Sequence, residues 1–453
     1  MRTYNDLRPG QKKAATFIYE RDAGIVVIPM GGGKTVTFMT VVDELIRDGV
    51  IRGALVMAPA VVAQNVWPYE AEEWAHLRNL TVVPLVGTPA KRMALLNEHA
   101  DIWTISFELT EWLINDAIPE LPDDHPVRDM IIFDEVTRLA SPKGDRAKLL
   151  RDRAGLWRMR WGATGTPRHR GAEGLFMPAT IITRGNLWGK SFYKWQEKNF
   201  ICINPHVPGG KWTIAPWARD KVYAEYGSIA YVQEDEIEGP EVVDLVHWFD
   251  LPPDAMAEYK RMERHLLVDV GAQQGPIVAL NQAVKSGKLE QIANGFVYDD
   301  AGHGHWLHQA KLKLTDELAL AAAEPSIIVF HYGAERERLG EHAIAGGVSP
   351  KQKQQLVKDW NEGLIDRLLL HPASGGHGLN LQHGGRRMIF HHTPWSAEMY
   401  DQTRKRIARP GQKKQCFMHH VFARDTIDVI KYNRVMQGMT ESEAFTDYLR
   451  RVK

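Results

Sequence analysis

A glycine-rich segment followed by Lys and Thr constrains this chain more than any other feature. Gly31-Gly32-Gly33-Lys34-Thr35 follows the apolar run Ile25–Ile28, which predicts a buried strand, and opens Lys34–Arg47, whose spacing predicts a helix. Glycines let backbone N–H groups converge on phosphate oxygens, and a helix N-terminus adds a favourable partial charge. The segment therefore predicts a phosphate loop, in which Lys34 contacts the β- and γ-phosphates of a nucleotide and Thr35 ligates magnesium.

A pair of acidic residues supplies the carboxylates that a phosphate loop needs. Met130–Phe133 predicts a second buried strand, which delivers Asp134 and Glu135 to the edge of a sheet. Asp134 is placed to hold hydrated magnesium, and Glu135 to orient or deprotonate the attacking water. The usual phosphate-loop pattern begins with Gly or Ala, where this chain has Ile28.

Short β-branched runs alternate with amphipathic segments in the first and last thirds of the chain. This alternation predicts an α/β fold with parallel sheets that are covered by helices on both faces. The predicted strands are Ile25–Ile28, Ala54–Ala58, Thr81–Leu85, Ile102–Ser106, Met130–Phe133 and Trp161–Thr164, then Ser326–Phe330, Arg367–His371, Arg386–Phe390 and Cys416–Val421. Ser349–Trp360 and Asp425–Met436 are predicted helices, and the middle of the chain predicts a mainly helical insertion and linker.

Composition excludes several classes of protein. The 453 residues hold 44% hydrophobic and 25% charged residues, which is typical of a globular chain of about three structural units. Lys plus Arg equals Asp plus Glu at 56 each, so any nucleic-acid surface must be local, as in the basic runs 141–170 and 401–420. Two distant cysteines, a polar N-terminus and short apolar runs predict a cytoplasmic protein without a membrane anchor.

Further segments resemble, in order, the motifs of Swi/Snf-type ATPases, which are DNA translocases of helicase superfamily two. Gln402–Gln412 resembles the family's Arg-containing box, and Asp134–Thr137 is a variant of its Asp-Glu box with Val136 and Thr137 in place of Ala and His. The other similar segments are Leu7–Gln11, Ala163–Pro167, Leu289–Asn294, Lys311-Leu312, Ile328–Tyr332, Ser374–Leu381 and Pro394–Ser396. Because these segments fill nearly the whole chain, we expect a minimal bacterial or bacteriophage form of the family.

The resemblance implies two RecA-like lobes that close on ATP and Mg2+. It implies a helicase ATP-binding lobe at residues 1–183, a helical insertion and linker at 184–310, and a helicase C-terminal lobe at 311–453. In the family, the positions of Arg406 and Arg409 are arginine fingers, which stabilise charge on the transferring phosphoryl group. The position of Gln11 reads adenine, and that of Gln402 couples the nucleotide cleft to lobe movement.

The resemblance also implies contacts with the phosphates of double-stranded DNA. Such contacts hold the protein on the duplex without recognising its base sequence. The implied residues are Thr104, Ser106, Thr164, Thr166, Ser374, Gly375 and Trp395. An aromatic and basic stretch that includes Trp188 and Trp195 is a further candidate. These two residues lie at helical spacing, however, so they fit a place in the core equally well.

Three functions remain open from the sequence. The first is an ATP-dependent translocase on double-stranded DNA, with no membrane contact and no specified protein partner. The second is a strand-separating DNA or RNA helicase, and the third is an ATP-gated nucleic-acid-binding recruitment factor. A small-molecule kinase is disfavoured because it needs neither the second α/β lobe nor the Arg-containing box. His303, His305 and His308 are interpreted as a polar loop in preference to a metal site.

Overall fold

The computed structural model describes residues 1–29, 31–165, 171–202, 212–233, 239–272, 287–321, 324–373 and 379–428. These residues divide into two compact units. Unit 1 contains the described residues up to Gln233, and unit 2 contains those from Gly239 onward.

Unit 1 alternates strands with helices along most of its length. Its strands are β1 Ala23–Val27, β2 Ala54–Ala58, β3 Val82–Pro84, β4 Ile102–Ser106, β5 Met130–Asp134, β6 Met159–Thr164, β7 Phe200–Cys202, β8 Trp212–Ile214 and β9 Ala230–Val232. Its α-helices are α1 Pro9–Tyr19, α2 Lys34–Arg47, α3 Trp67–Glu73, α4 Pro89–Asn97, α5 Thr110–Trp112, α6 Ile118–Glu120, α7 Asp145–Arg153, α8 Phe176–Thr183, α9 Phe192–Asn199 and α10 Pro216–Ile229. A π-helical turn, Val62–Val66, precedes α3.

Seven of these strands form one parallel sheet in the order β3-β4-β2-β5-β6-β1-β9. Alternate residues of each strand enter two separate hydrophobic clusters, as Ile131 and Phe133 do on one face and Met130 and Ile132 on the other. Both faces are therefore buried, which explains why the strands are continuous apolar runs. The carboxyl ends of β1, β5 and β6 lie side by side, because β6 pairs with both of the others.

Unit 2 contains a second parallel sheet, in the order β10-β17-β16-β13-β15-β14. The strands of unit 2 are β10 Val242–Phe249, β11 Phe296–Tyr298, β12 Gly304–Trp306, β13 Ser326–Val329, β14 Ala343–Ile344, β15 Arg367–Leu370, β16 Arg387–Phe390 and β17 Cys416–Ala423. Its labelled helices are α11 Pro253–Ala272, α12 Ala310–Leu320, α13 Gly333–Leu339, α14 Pro350–Asn361 and α15 Ala397–Arg404. Within the described part of the chain, no helix combines the length and apolarity needed to cross a bilayer.

The two parallel sheets confirm the predicted α/β fold, and each of the ten predicted strands is present. The middle of the chain differs from the expectation, because β9 joins the sheet of unit 1 and β10 joins that of unit 2. Both are edge strands, and β10 alternates apolar residues with Asp244 and His247, so neither carries the uniform apolar signal of a central strand. The lobe boundaries at 183 and 310 stay predictions, and the predicted helix Asp425–Met436 lies largely outside the described residues.

The segment with three neighbouring histidines belongs to a β-hairpin, in which His303 lies between the strands, His305 on the second strand and His308 after it. Strands β11 and β12 pair in antiparallel fashion, and His305 Nε2 lies 2.8 Å from Asp299 Oδ2. His308 is buried, with Nε2 2.9 Å from the Ile292 carbonyl oxygen. No group of three or more metal-ligating side chains with suitable geometry occurs among the described residues.

A buried polar network fixes the first helix of the unit 2 core, α12, to other parts of that unit. Lys311 Nζ donates to Asn294 Oδ1 at 2.7 Å and to Asp428 Oδ2 at 2.8 Å. Asn294 Nδ2 in turn donates to Glu335 Oε1 at 2.7 Å. Burial raises the pKa of Glu335 to about 7. Because these groups are withdrawn from water, they depend on one another for their hydrogen bonds.

We predict that Lys311→Met destabilises unit 2 by about 3–5 kcal/mol, because it leaves the buried Asp428 carboxylate without its cation. Urea unfolding of the full chain, followed by circular dichroism, measures this loss. Lys358→Met is the matched control: its ammonium lies 3.9 Å from Glu362 on the surface of α14, and its loss should cost at most about 1 kcal/mol. Equal unfolding midpoints for the two variants would contradict the prediction.

Candidate nucleotide-binding site

The loop between β1 and α2 has the backbone form that a phosphate loop requires. Gly31 and Gly33 have φ angles of 76° and 82°, in the left-handed region that favours glycine. A Cβ atom on Gly33 would also meet the Gln11 amide, so a side chain there would have to displace Gln11 as well as adopt a strained backbone. Lys34 Nζ donates to the Ile28 carbonyl oxygen at 3.2 Å, which keeps the ammonium at the loop.

The start of α1 is hydrogen-bonded to this loop. The Arg8 backbone N–H donates to Gln11 Oε1 at 2.8 Å, and Arg8 Nη2 donates to the Gly31 carbonyl oxygen at 3.1 Å. Gln11 is buried against Gly33, beside the phosphate loop. These contacts place the predicted adenine-reading residue next to the predicted phosphate site, and its role stays a prediction.

Asp134 ends β5 and is almost completely buried. Burial raises the pKa of its carboxyl group, whereas the charge of Lys34 and a hydrogen bond from Trp67 act in the opposite direction. That bond runs from Trp67 Nε1 to Asp134 Oδ2 at 2.9 Å. Lys34 and Trp67 therefore favour the ionised form of Asp134, whereas burial favours the protonated form.

Glu135 adopts a left-handed backbone conformation with a φ of 73°, which is strained for a residue other than glycine. Its side chain is fixed by two hydroxyl groups: Oε1 accepts from Thr137 Oγ1 at 2.8 Å and from Thr164 Oγ1 at 2.7 Å. Thr164 ends β6, so the neighbouring strand directly orients this carboxylate.

The donor set fits magnesium and a nucleotide phosphate. Asp134 offers a carboxylate oxygen and Thr35 a hydroxyl, and Mg2+ prefers oxygen ligands of this kind. The glycine cradle lies at the N-terminus of α2, where the helix dipole favours an anion. Lys34, Thr35, Asp134 and Glu135 are therefore supplied by neighbouring segments at one edge of the unit 1 sheet.

Two residues predicted to contact DNA have side chains committed within the protein. The Thr104 hydroxyl is buried and donates to the Ala63 carbonyl oxygen. Thr164 is buried and donates to Glu135, as described above. Both hydroxyls are therefore engaged within the protein, and the predicted contacts of these segments with DNA phosphates, through backbone amides as well as hydroxyls, stay predictions. Ser106 is also buried, and Thr166, Ser374 and Gly375 lie outside the described residues.

The aromatic residues of the insertion belong to the hydrophobic core of unit 1. Trp195 is buried, and its ring centroid lies 4.9 Å from that of Trp188 and 5.0 Å from that of Phe200. Trp188 Nε1 donates to Glu225 Oε2 at 2.8 Å. The alternative of core packing is therefore favoured for Trp188 and Trp195.

The predicted arginine fingers lie at and beyond the end of α15 in unit 2. Arg406 is buried, and burial lowers the pKa of its guanidinium to about 9. Arg409 Nη1 donates to Asn380 Oδ1, and Gln412 Nε2 donates to the Gln382 carbonyl oxygen at 2.8 Å. Gln402 is part of α15, whereas Trp395 precedes the helix and is 37% exposed.

Sequence reasoning missed the roles of two residues at the site. Trp67 contacts Asp134, although it lies far from any motif that we considered. Thr137 was noted only as a departure from the family's box, yet its hydroxyl holds Glu135. The polar residue three positions after Asp134 was the available signal for Thr137, whereas the sequence holds none for Trp67.

Comparison with known proteins places both units in one family. The SNF2-related domain matches residues 11–206, and the helicase conserved C-terminal domain matches residues 313–411. Protein p41 of Acyrthosiphon pisum secondary endosymbiont phage 1 is 32% identical over 99% of this chain and 98% of its own length. The chain belongs to the SNF2-type ATPases of helicase superfamily two. This SNF2-type chain is a helicase-like, nucleic-acid-stimulated ATPase, as the resemblance implied.

More distant relatives include proteins with assigned processes. The DNA repair and recombination protein RDH54 of Saccharomyces cerevisiae S288c is 23% identical over 92% of this chain. The SNF2-type chain aligns with 48% of that protein and so spans about half its length. The SWI2/SNF2 ATPase core of Sulfolobus solfataricus in complex with dsDNA aligns over 99% of this chain and 97% of its own, with 19% identity and a TM-score of 0.44.

We predict that Lys34→Ala and Glu135→Gln separate nucleotide binding from hydrolysis. Lys34→Ala should weaken both, because it removes the cation of the phosphate loop. Glu135→Gln should keep nucleotide affinity and stall turnover, since it leaves Asp134 intact. Isothermal titration with ATP and a phosphate-release assay measure the two quantities. Normal turnover in Glu135→Gln would refute the prediction that Glu135 orients or deprotonates the attacking water.

Proposed function

We propose that the chain is an ATP-dependent translocase on double-stranded DNA that hydrolyses ATP to ADP and phosphate. The observation that carries this proposal is the hydrogen bond from Thr164 to Glu135. Thr164 belongs to the segment that, in the family, links the ATP site to the nucleic-acid track. The Thr164 hydroxyl therefore orients Glu135, the carboxylate proposed to act on water. A movement of this segment on DNA would change the position of Glu135, and this links hydrolysis to DNA.

The chemistry at unit 1 follows from its own side chains. Lys34 and the backbone N–H groups of the glycine loop bind and orient the phosphates. Asp134 and Thr35 would hold Mg2+, which neutralises phosphate charge when it is bound. Glu135 accepts hydrogen bonds through Oε1 from two hydroxyls, so its orientation is fixed before water arrives, and it takes the role of water-orienting base.

Arg406 and Arg409 are proposed as the arginine fingers of unit 2. A guanidinium stays ionised and its planar fork matches phosphate oxygens. Arg406 remains protonated near neutral pH, even though burial lowers its pKa to about 9. Arg409 donates to Asn380, a contact that positions its guanidinium on the Ser374–Leu381 motif segment.

Double-stranded DNA is the proposed track because the family match favours a translocase and we find no base-reading motif in the sequence. Sequence reading would require side chains inserted into a groove, and no recognition-helix motif occurs in the sequence. Local basic runs at 141–170 and 401–420 suit phosphate contacts. The yeast RDH54 relatives, which are named for DNA repair and recombination, support DNA over RNA.

We predict that Arg409→Ala lowers turnover by about 10³-fold or more while nucleotide affinity is nearly kept, because an arginine finger acts on the transition state. Steady-state hydrolysis and titration with ADP measure the two effects. Lys413→Ala is a matched control, since it removes a positive charge only four residues later. Loss of DNA binding with basal hydrolysis intact would instead assign Arg409 to the track.

We predict that duplex DNA of any sequence stimulates hydrolysis and that binding falls steeply with salt, because neutralised phosphates release counterions. With ATP, the enzyme should displace a triplex-forming third strand and leave a blunt duplex largely paired. Triplex displacement and fork unwinding are compared with the Glu135→Gln variant as the inactive control. Efficient unwinding, or stimulation by RNA alone, would favour the helicase; stimulated hydrolysis without displacement would favour the recruitment factor.

A further inference from the structure

The hydrogen bond between Trp67 and Asp134 has no part in the roles assigned above. We propose that Trp67 is a positioning residue for magnesium: its indole N–H holds one oxygen of the Asp134 carboxylate and leaves the other for the metal. This inference rests on the proposed function, because it takes Asp134 as the magnesium ligand. It concerns a residue that touches neither nucleotide nor metal itself.

The contact is buried on both sides. Trp67 is 1% exposed and Asp134 is 7% exposed, and the Nε1–Oδ2 distance is 2.9 Å. Among the described residues, no second donor reaches the Asp134 carboxylate within hydrogen-bond distance. Rotation of the carboxylate away from Trp67 would leave a buried indole N–H without an acceptor, which is unfavourable. The hydrogen bond therefore restricts the carboxylate to one orientation.

Trp67 is itself held by its surroundings. It is the first residue of α3 and directly follows the π-helical turn Val62–Val66. The Thr104 hydroxyl donates to the carbonyl oxygen of Ala63 in that turn, which fixes the turn to β4. The orientation of Asp134 is thus determined by a neighbouring loop and helix as well as by its own strand.

A tryptophan suits this position for a chemical reason. The indole N–H is a donor only, so it can hold a carboxylate oxygen but cannot ligate a cation. An asparagine or a glutamine in the same place would present a carbonyl oxygen and could compete with Asp134 for magnesium. Trp67 therefore orients the ligand without becoming one. Groups that hydrogen-bond a metal ligand in this way commonly tune metal affinity.

Unit 1 also contains a matched control. Trp161 lies in β6, is completely buried and packs against Phe17 and Phe38 at centroid distances of 5.9 and 6.5 Å. In the described part of the chain, its Nε1 has no hydrogen-bond partner. Replacing Trp161 with Phe removes the same atoms from the same unit without removing a hydrogen bond from the site.

The test measures binding of a fluorescent ADP, N-methylanthraniloyl-ADP, to the full chain while MgCl2 is varied. Trp67→Phe should leave nucleotide affinity in EDTA close to that of the wild type. Mg2+ should strengthen nucleotide binding in the wild type, and the Mg2+ concentration that gives half of this effect should be about tenfold higher or more in Trp67→Phe. Trp161→Phe should match the wild type in both measurements. Thermal melting shows whether each variant is folded.

A second variant decides the matter if Trp67→Phe fails to fold. Trp67→benzothienylalanine keeps the shape of the indole and replaces its N–H with sulfur, and it should show the same shift in Mg2+ dependence. A wild-type Mg2+ dependence in either folded Trp67 variant overturns the proposal, as does an equal loss of nucleotide affinity in EDTA. Nucleotide binding by the wild type that ignores Mg2+ would instead refute the assignment of Asp134 as a metal ligand.

Discussion

The parallel pairing of β6 with both β1 and β5 is the constraint on which the nucleotide site depends. Parallel strands place all their carboxyl ends at one edge, so residues from distant parts of the sequence are delivered to the same place. Gly31 to Thr35 follow β1, Asp134 and Glu135 follow from β5, and Thr164 ends β6. The two buried faces fix the register, because a shift by one residue would exchange the side chains that pack into the two hydrophobic clusters.

Burial strengthens electrostatic interactions at this edge of the sheet, but it also opposes ionisation of the carboxylates there. Desolvation raises the pKa of Asp134, and the charge of Lys34 and the hydrogen bond from Trp67 oppose it. Each carboxylate accepts hydrogen bonds from neighbouring side chains: Asp134 from an indole N–H, and Glu135 from two hydroxyls. These donors come from α3, from the turn after β5 and from β6. Side chains around the site therefore orient its carboxylates, in addition to the motifs that supply them.

The sequence predicted the central strands and the phosphate loop well, because both have strong local signals. Buried runs such as Met130–Phe133 favour a central strand, and glycines before Lys-Thr supply the left-handed conformations that a phosphate loop needs. The edge strands β9 and β10 were missed, since β9 is short and β10 mixes polar with apolar residues. Trp67 was missed for a different reason: a contact between residues 67 and 134 depends on tertiary packing, and no local pattern encodes it.

Two threonine positions show what a motif resemblance leaves open. It implied that the segments of Thr104 and Thr164 contact a phosphate strand through backbone amides and hydroxyls, and in the structure both threonine hydroxyls are buried and donate to protein acceptors. A motif identifies which segment matters, but the alternation of side chains along a strand decides which residue of that segment is accessible. Trp195 packs into the core from the helix Phe192–Asn199, whereas Trp188 lies in the turn before that helix and contacts it there.

The pairing of β1 with β6 and β9 has a consequence for how unit 1 is made. β1 lies near the start of the chain, yet both of its neighbours in the sheet lie far downstream. During synthesis, β1 must therefore wait for β6 and β9 to leave the ribosome before its edges are paired. Pairings of such long sequence separation form slowly. The strand that leads into the phosphate loop has unpaired edges until then, so we expect nucleotide binding to follow the synthesis of β9.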